Sequence, residues 1–82
     1  MHDLVVHGRI DPADGPALLE RARLLLEASP SAHVVCDVAA VIDPDLGTID
    51  ALARLQLGCA RLGSGVRLRH ASVDLQQLLA LA

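Results

Sequence analysis

The chain has 82 residues, of which 52% are apolar, and a formal charge of -3 at pH 7. That length holds one small domain with one core and excludes a catalytic domain joined to a regulatory one. The acidic balance and the absence of Phe, Tyr and Trp argue against nucleic acid as a partner, since a phosphate backbone demands a basic field and single strands need aromatic stacking platforms.

An apolar fraction this high is beyond what disordered chains carry, so a core of Leu, Val, Ile and Ala is expected. All seven basic residues are Arg, which with the abundant Ala and Leu fits a GC-rich bacterial genome and carries no functional signal. Leu4 to Ile10, LVVHGRI, is a short β-rich run that Asp11-Pro12 and Gly15-Pro16 break. From Ala17 to Ala28, Leu18, Leu19, Ala22, Leu25 and Leu26 form the stripe of an amphipathic helix, with Glu20, Arg21, Arg23 and Glu27 away from it. SPSAH ends that helix, because Pro30 disfavours helical geometry at Ser29.

Val34 to Val38 is a nearly continuous apolar run, which suits a strand covered on both faces. A second helix is expected from about Thr48 to Leu62, burying Ile49, Leu52, Leu55, Cys59 and Leu62, with Gly63 of the GSG turn in the left-handed position that closes it. VRLRH sets Val66, Leu68 and His70 against Arg67 and Arg69, one apolar face and one wet face. Ser72 is placed to cap a last helix that buries Leu75, Leu78, Leu79 and Ala82. Strand-helix alternation implies an α/β fold of order β-α-β-α-β-α, a small mostly parallel sheet with helices packed on it, in a single domain over residues 1–82.

Cys36 and Cys59 fall in a strand and a helix without a CxxC pair, which points to a reduced, cytoplasmic setting. No basic segment followed by an apolar stretch opens the chain and no apolar run reaches spanning length, so direct membrane insertion is not expected.

The loop where the apolar strand hands over to the second helix crowds Asp43, Asp45 and Asp50 around Gly47 and Thr48. A loop so placed serves catalysis, phosphate binding, phosphorylation or docking. Three acids repel a nucleotide in the absence of a metal, and GSG follows a helix instead of preceding one, so nucleotide binding is not expected. His2, His7, His33 and His70 are dispersed without HxxxH or HExxH spacing, so neither a metal nor another cofactor is expected. His7 and His70 can face one another or Cys36 across neighbouring strands, and Asp43 and Asp45 can act as paired carboxylates; a small enzyme built on these groups stays open. As structural elements, the two acids complement the helix dipole and Thr48 serves as an N-cap. Leu57 lies off the buried stripe, as does Ala53, leaving an apolar patch beside Arg54 and Arg61 of the kind that suits a partner protein.

Apolar residues before Cys36-Asp37, eight residues on to Asp45, the helix TIDALARLQLGCARLG, the strand VRLRH, then AS and a leucine-rich last helix together resemble the STAS domain, the family named for sulphate transporters and anti-sigma factor antagonists. The resemblance is densest from Val34 to Leu81 and fainter at VVHGRID. It implies a regulatory, non-catalytic protein-binding module in which the loop after the central strand reads Asp-Ser-Ser/Thr-Gly, with the phosphoacceptor after the Asp. The spacing from Asp37 and forward to Gly63 puts that Asp on Asp45, so the acceptor position holds Leu46; sliding the match to Asp43 puts Pro44 there. Thr48 is then the only nearby hydroxyl and the one possible phosphorylation site. A phosphate at a helix N-terminus adds nearly two negative charges to a docking face, and with Leu46 that switch is lost in its usual form.

By resemblance, Asp43, Asp45, Leu46, Gly47, Thr48, Arg54, Leu57 and Arg61 form the partner surface. The partner is a kinase-type anti-sigma factor in bacterial transcription regulation or, as the alternative, the ATPase subunit of an ABC-type lipid transporter that takes a STAS accessory subunit. The family also carries an additional N-terminal strand and more chain after the last helix, so an open sheet edge and a homodimer formed through it are further expectations.

Overall fold

In a computed structural model the described residues are 3–30 and 33–81. The elements are β1 (Asp3–Gly8), α1 (Gly15–Ala28), β2 (His33–Val41), α2 (Leu46–Arg61), β3 (Gly65–Arg69) and α3 (Val73–Leu81), with a 3-10 turn at Pro12–Asp14 before α1. One sheet of order β1-β2-β3 holds all three strands in parallel, so the fold is the expected small α/β domain of order β-α-β-α-β-α.

One face of the sheet forms the core. Leu4 and Val6 of β1 and Val34, Cys36 and Val38 of β2 alternate along their strands and pack against Leu18 and Ala22 of α1, Ala51, Leu52, Leu55 and Cys59 of α2, and Leu75 of α3. The period of two in the strands and of 3.6 in the helices brings every one of these side chains to a single layer boundary. On the other face no helix covers the strands: Val5 is 49% exposed and Val35 and Asp37 are only partly buried. The apolar run in β2 therefore does not report coverage on both faces. Val35 stands on the open side, and Ala39 and Ala40 at the strand end are exposed.

The register slips between Val5, which pairs with Asp37, and His7, which pairs with Ala40, so β2 carries one extra residue there. The Ala39 N–H at this bulge donates to Asp37 Oδ1 at 3.0 Å. A carboxylate one residue before the bulge thus satisfies a donor that the ladder does not.

Helix boundaries follow their caps. Ser72 Oγ accepts from Leu75 N at 3.1 Å and opens α3 as expected. Gly63, at φ +81, closes α2 with Gly63 N donating to Ala60 O and Ser64 N to Cys59 O, the paired bonds of a Schellman turn that a left-handed residue requires. Four expected core positions lie further out: Ile49 and Leu78 are half-buried, whereas Leu62 and Leu79 are exposed. Leu62 is the C-cap of α2, past its last helical residue. Ala82 and His2 lie outside the described residues.

Candidate functional site

The strand-to-helix loop is held by α2's own cap. Asp45, in extended backbone, is the N-cap, and helical geometry begins at Leu46, two residues before the expected start. Asp45 Oδ1 accepts from Thr48 N at 3.0 Å, and Thr48 Oγ1 accepts from Asp45 N at 3.2 Å, a reciprocal capping box. The N-cap is therefore Asp45 and not Thr48. An aspartate in extended geometry takes this position because its short side chain reaches the N3 amide directly.

Thr48 is 1% exposed. Its hydroxyl also donates to Ile10 O at 3.0 Å, tying the turn after β1 to the start of α2. Addition of a phosphate at Thr48 requires this turn to open, since the oxygen is sealed under Ile10 with both its donor and acceptor roles taken. Gly47 lets the two segments approach, because a Cβ there would stand 3.0 Å from Pro12 Cδ and 3.1 Å from Asp45 Oδ1.

Asp43 adopts φ +47, the left-handed region that Asp tolerates better than most residues. It forms an exposed ion pair with Arg9 at 3.0 Å, a contact of small energetic weight in solvent. Asp43 and Asp45 are both exposed but do different work, one pairing with Arg9 and the other capping a helix. The paired-carboxylate reading thus has no support in their contacts, which go to separate partners.

Beside these exposed acids the loop presents apolar groups. Leu46, the first helical residue, is 72% exposed, with Ile42 exposed at the end of β2. At 100° per residue, Leu46, Asp50, Arg54, Leu57 and Arg61 share one stripe of α2 within about 80°, and Leu46 and Leu57 stand about 16 Å apart along the axis. Leu57 is 56% exposed. Arg54 Nε donates to Asp50 Oδ2 at 2.9 Å, a favourable four-residue spacing on a helix.

Between this stripe and α1 runs an open groove of about 390 Å³. Its floor is Gly15 and Gly58, and Leu19, Leu57, Arg54 and Arg61 line it. Leu19 packs directly on Gly58, where a Cβ would sit 2.5 Å from Leu19 Cδ2 and displace that side chain. Ala53 is not part of this patch. It borders a second depression with Ile49, Leu52, Gln56, Val66 and Leu79 on the opposite flank of α2. Leu19, counted from sequence among buried residues of α1, takes the place expected of Ala53. A glycine inside an otherwise helical pattern was the available signal for such a contact.

On the open sheet face, Arg69 donates to Asp3 at 3.0 Å and to Asp37 at 3.3 Å, and His70 Nδ1 lies 3.4 Å from both Asp37 oxygens. The Asp37 carboxyl is held below the usual carboxylate range, chiefly by the Ala39 N–H and further by His70 and Arg69. Asp3 first and Asp37 second raise the Arg69 guanidinium above its ordinary value. His70 has φ +62 and has left the strand, so it does not continue the apolar side of β3 but turns to the charged side. His7 is exposed on β1, and Cys36 is buried beneath the helices. The sheet therefore separates Cys36 from the exposed His70.

Neither thiol is poised for nucleophilic chemistry. Cys36 and Cys59 are free and fully buried, and burial pushes the Cys36 thiol up to about 11 and raises Cys59 as well. Among the described residues no three His, Cys, Asp or Glu side chains gather to hold a metal ion, and no helix is long and apolar enough to cross a membrane. β1 and β3 are the edge strands. Arg21 of α1 donates to the Val5 carbonyl of β1 at 3.0 Å, and β3 is five residues long with two arginines, features that blunt an edge against pairing. Compared with protein-family models and with curated proteins, the chain matches none.

Proposed function

We propose that this chain is a STAS-like, non-catalytic regulatory module of the anti-sigma factor antagonist type, acting in the bacterial cytoplasm by binding another protein. The observation that carries the reading is Leu46: an apolar side chain, 72% exposed, at the first position of α2, where the resemblance places the phosphoacceptor. Large exposed apolar groups at a rigid helix start suit contact with a partner, and the capping box below them fixes their position.

In this reading Leu46 and Leu57 supply apolar contact to a kinase-type anti-sigma factor, and Asp43, Asp45, Arg54 and Arg61 set register around it. Binding releases the sigma factor by competition. Without a hydroxyl at Leu46, and with Thr48 sealed against Ile10 O, the loop stays in its docking-competent form. The buried thiols and the separation of His70 from Cys36 support a binding role over an enzymatic one.

The test is recovery of the tagged protein from its native cells, with identification of co-purifying proteins by mass spectrometry beside a Leu46→Glu control. A kinase-type anti-sigma factor recovered with the parent chain and lost with the control is the expected result. Recovery of a transporter ATPase instead would move the protein to the alternative role of accessory subunit. Equal recovery of any partner by the control would remove Leu46 from the interface.

A further inference from the structure

We propose that the groove between α1 and α2 receives an acidic amphipathic helix of the partner protein, with apolar side chains against Leu19 and Leu57 and carboxylates on Arg54 and Arg61. The proposal rests on the protein-binding reading above and names the chemistry of the partner at the far end of α2 from Leu46.

Three observations lead to it. The groove is an open depression in which Leu19 packs directly on Gly58, so its wall is apolar and low between the two helices. Such a depression admits side chains of a third helix laid alongside two others, in the manner of helix-in-groove recognition. Leu57 is more than half exposed on its border although it belongs to a well-formed helix, so its apolar surface is available to such a helix.

The charged side chains lining the groove are both arginines, one of them paired with Asp50. Arg61 has no ion-pair or hydrogen-bond partner among the described residues, and Arg54 uses only Nε on Asp50, leaving its terminal nitrogens as donors. Arg54 and Arg61 are seven residues apart, two turns of helix or about 10.5 Å. Leu57 lies between them. A partner helix running nearly along α2 meets that pattern with an apolar residue flanked by Glu or Asp at the same seven-residue repeat.

A second copy offers the required pattern on α1, where exposed Leu24 lies between Glu20 and Glu27, but Arg23 of that helix already pairs with both carboxylates, which makes it a poor occupant. Pairing α2 with itself about a two-fold axis at Leu57 sets Arg54 of one copy beside Arg61 of the other, so like charges meet. A flat lipid surface cannot enter a groove between two helices and would leave Leu19 unmatched.

A labelled amphipathic peptide of about 20 residues, with a leucine stripe bordered by glutamates at seven-residue spacing, is titrated against the full chain and followed by anisotropy. Its lysine-for-glutamate counterpart, and vesicles of phosphatidylglycerol and phosphatidylcholine, serve as comparisons. Preference for the glutamate peptide by about tenfold or more is expected, with weakening of about tenfold in the Arg54→Glu/Arg61→Glu variant and loss of affinity between about 50 and about 500 mM salt. Amide shifts in NMR spectra should centre on Leu19, Leu57 and Gly58. Both arginines are exposed, so the variant is expected to fold; Leu57→Gln provides an uncharged check with the same expected loss. No binding, equal binding of both peptides, an unaltered affinity in the arginine variant, shifts confined to Ile42 and Leu46, or binding to vesicles in place of the peptide would each overturn the proposal. Ala53→Glu, exposed on the opposite flank of α2, should leave peptide affinity unchanged. Failure of the anti-sigma factor reading at the loop is read from Leu46→Glu in partner capture, and failure of the groove proposal from the variants above.

Discussion

The two faces of the sheet use neighbouring residues of the same strands for opposite purposes. On the helix-covered face, Leu4, Val6, Val34, Cys36 and Val38 are sealed beneath α1 and α2. On the open face, Asp3, Asp37 and Arg69 join one another across all three strands, with His70 beside them and Val5 and Val35 only partly sheltered. Burial of apolar area stabilises the first face, at roughly 25 cal/mol per Å². The second relies on hydrogen bonds and ion pairs in contact with water, which contribute far less. The charged network is also incomplete, since Asp3 Oδ1 and Arg69 Nε have no bonding partner among the described residues. The fold's apolar burial therefore lies on one side of β2.

This contrast is sharpest in its response to truncation. Leu55→Ala, at a position with no exposed surface in the middle of α2, should cost about 2–5 kcal/mol, enough to threaten folding in a domain with a core this small. Val5→Ala on the open face should cost far less. Urea unfolding of both variants checks the pair; similar losses would mean that the open face is covered in solution.

Thr48→Val should come next, at about 1–3 kcal/mol, because it removes the hydroxyl shared by Ile10 O and Asp45 N and leaves a buried carbonyl unsatisfied. Thr48→Ser should recover most of the loss. If valine is as stable as threonine, the link between the β1 turn and α2 carries no weight, and Thr48 becomes easier to reach.

A smaller effect is expected on the open face, and it depends on pH. The folded carboxyl of Asp37 titrates below its unfolded range, so its contribution is present above the unfolded value of about 4 and is lost as pH falls through the folded value. Thermal melts of the parent chain should therefore decline below about pH 4. Asp37→Asn should melt lower at neutral pH and show a shallower acid decline. An identical acid limb in the variant would assign the decline to other carboxylates.

Least affected should be the exposed stripe of α2. Leu46→Glu and Leu57→Gln should each change stability by less than about 0.5 kcal/mol, while altering partner capture and peptide binding respectively. A large drop in stability for either would show that its side chain packs within the domain and would disqualify it as a docking residue.

Caps and turns are short-range and therefore legible at the helix ends away from the candidate site, whereas at the site itself the sequence points to Thr48 and the structure caps α2 with Asp45. Gly63 closes α2, Ser72 opens α3, and the exposure of Leu57 follows from helical period alone. The partners of Asp37 and Thr48 were not legible. Arg69 and Ile10 lie far away in the chain, and no local pattern states which strand will lie beside which. Ala53 and Leu57 are four residues apart, yet they border opposite flanks of α2, because α1 lies along one flank and β3 with α3 along the other.

The sequence by itself determined the alternation of strands and helices, the parallel sheet that alternation demands, and the apolar stripes that bind each helix to it, since all three depend on local periodicity and propensity. Only the tertiary structure decided that one face of β2 is open. A run such as VVCDV is compatible with cover on one side or both, and the choice was made when all three helices packed on the same face. The same packing sealed the Thr48 hydroxyl, left Leu46 in solvent and opened a groove over Gly58, outcomes set by contacts between segments that no local pattern encodes.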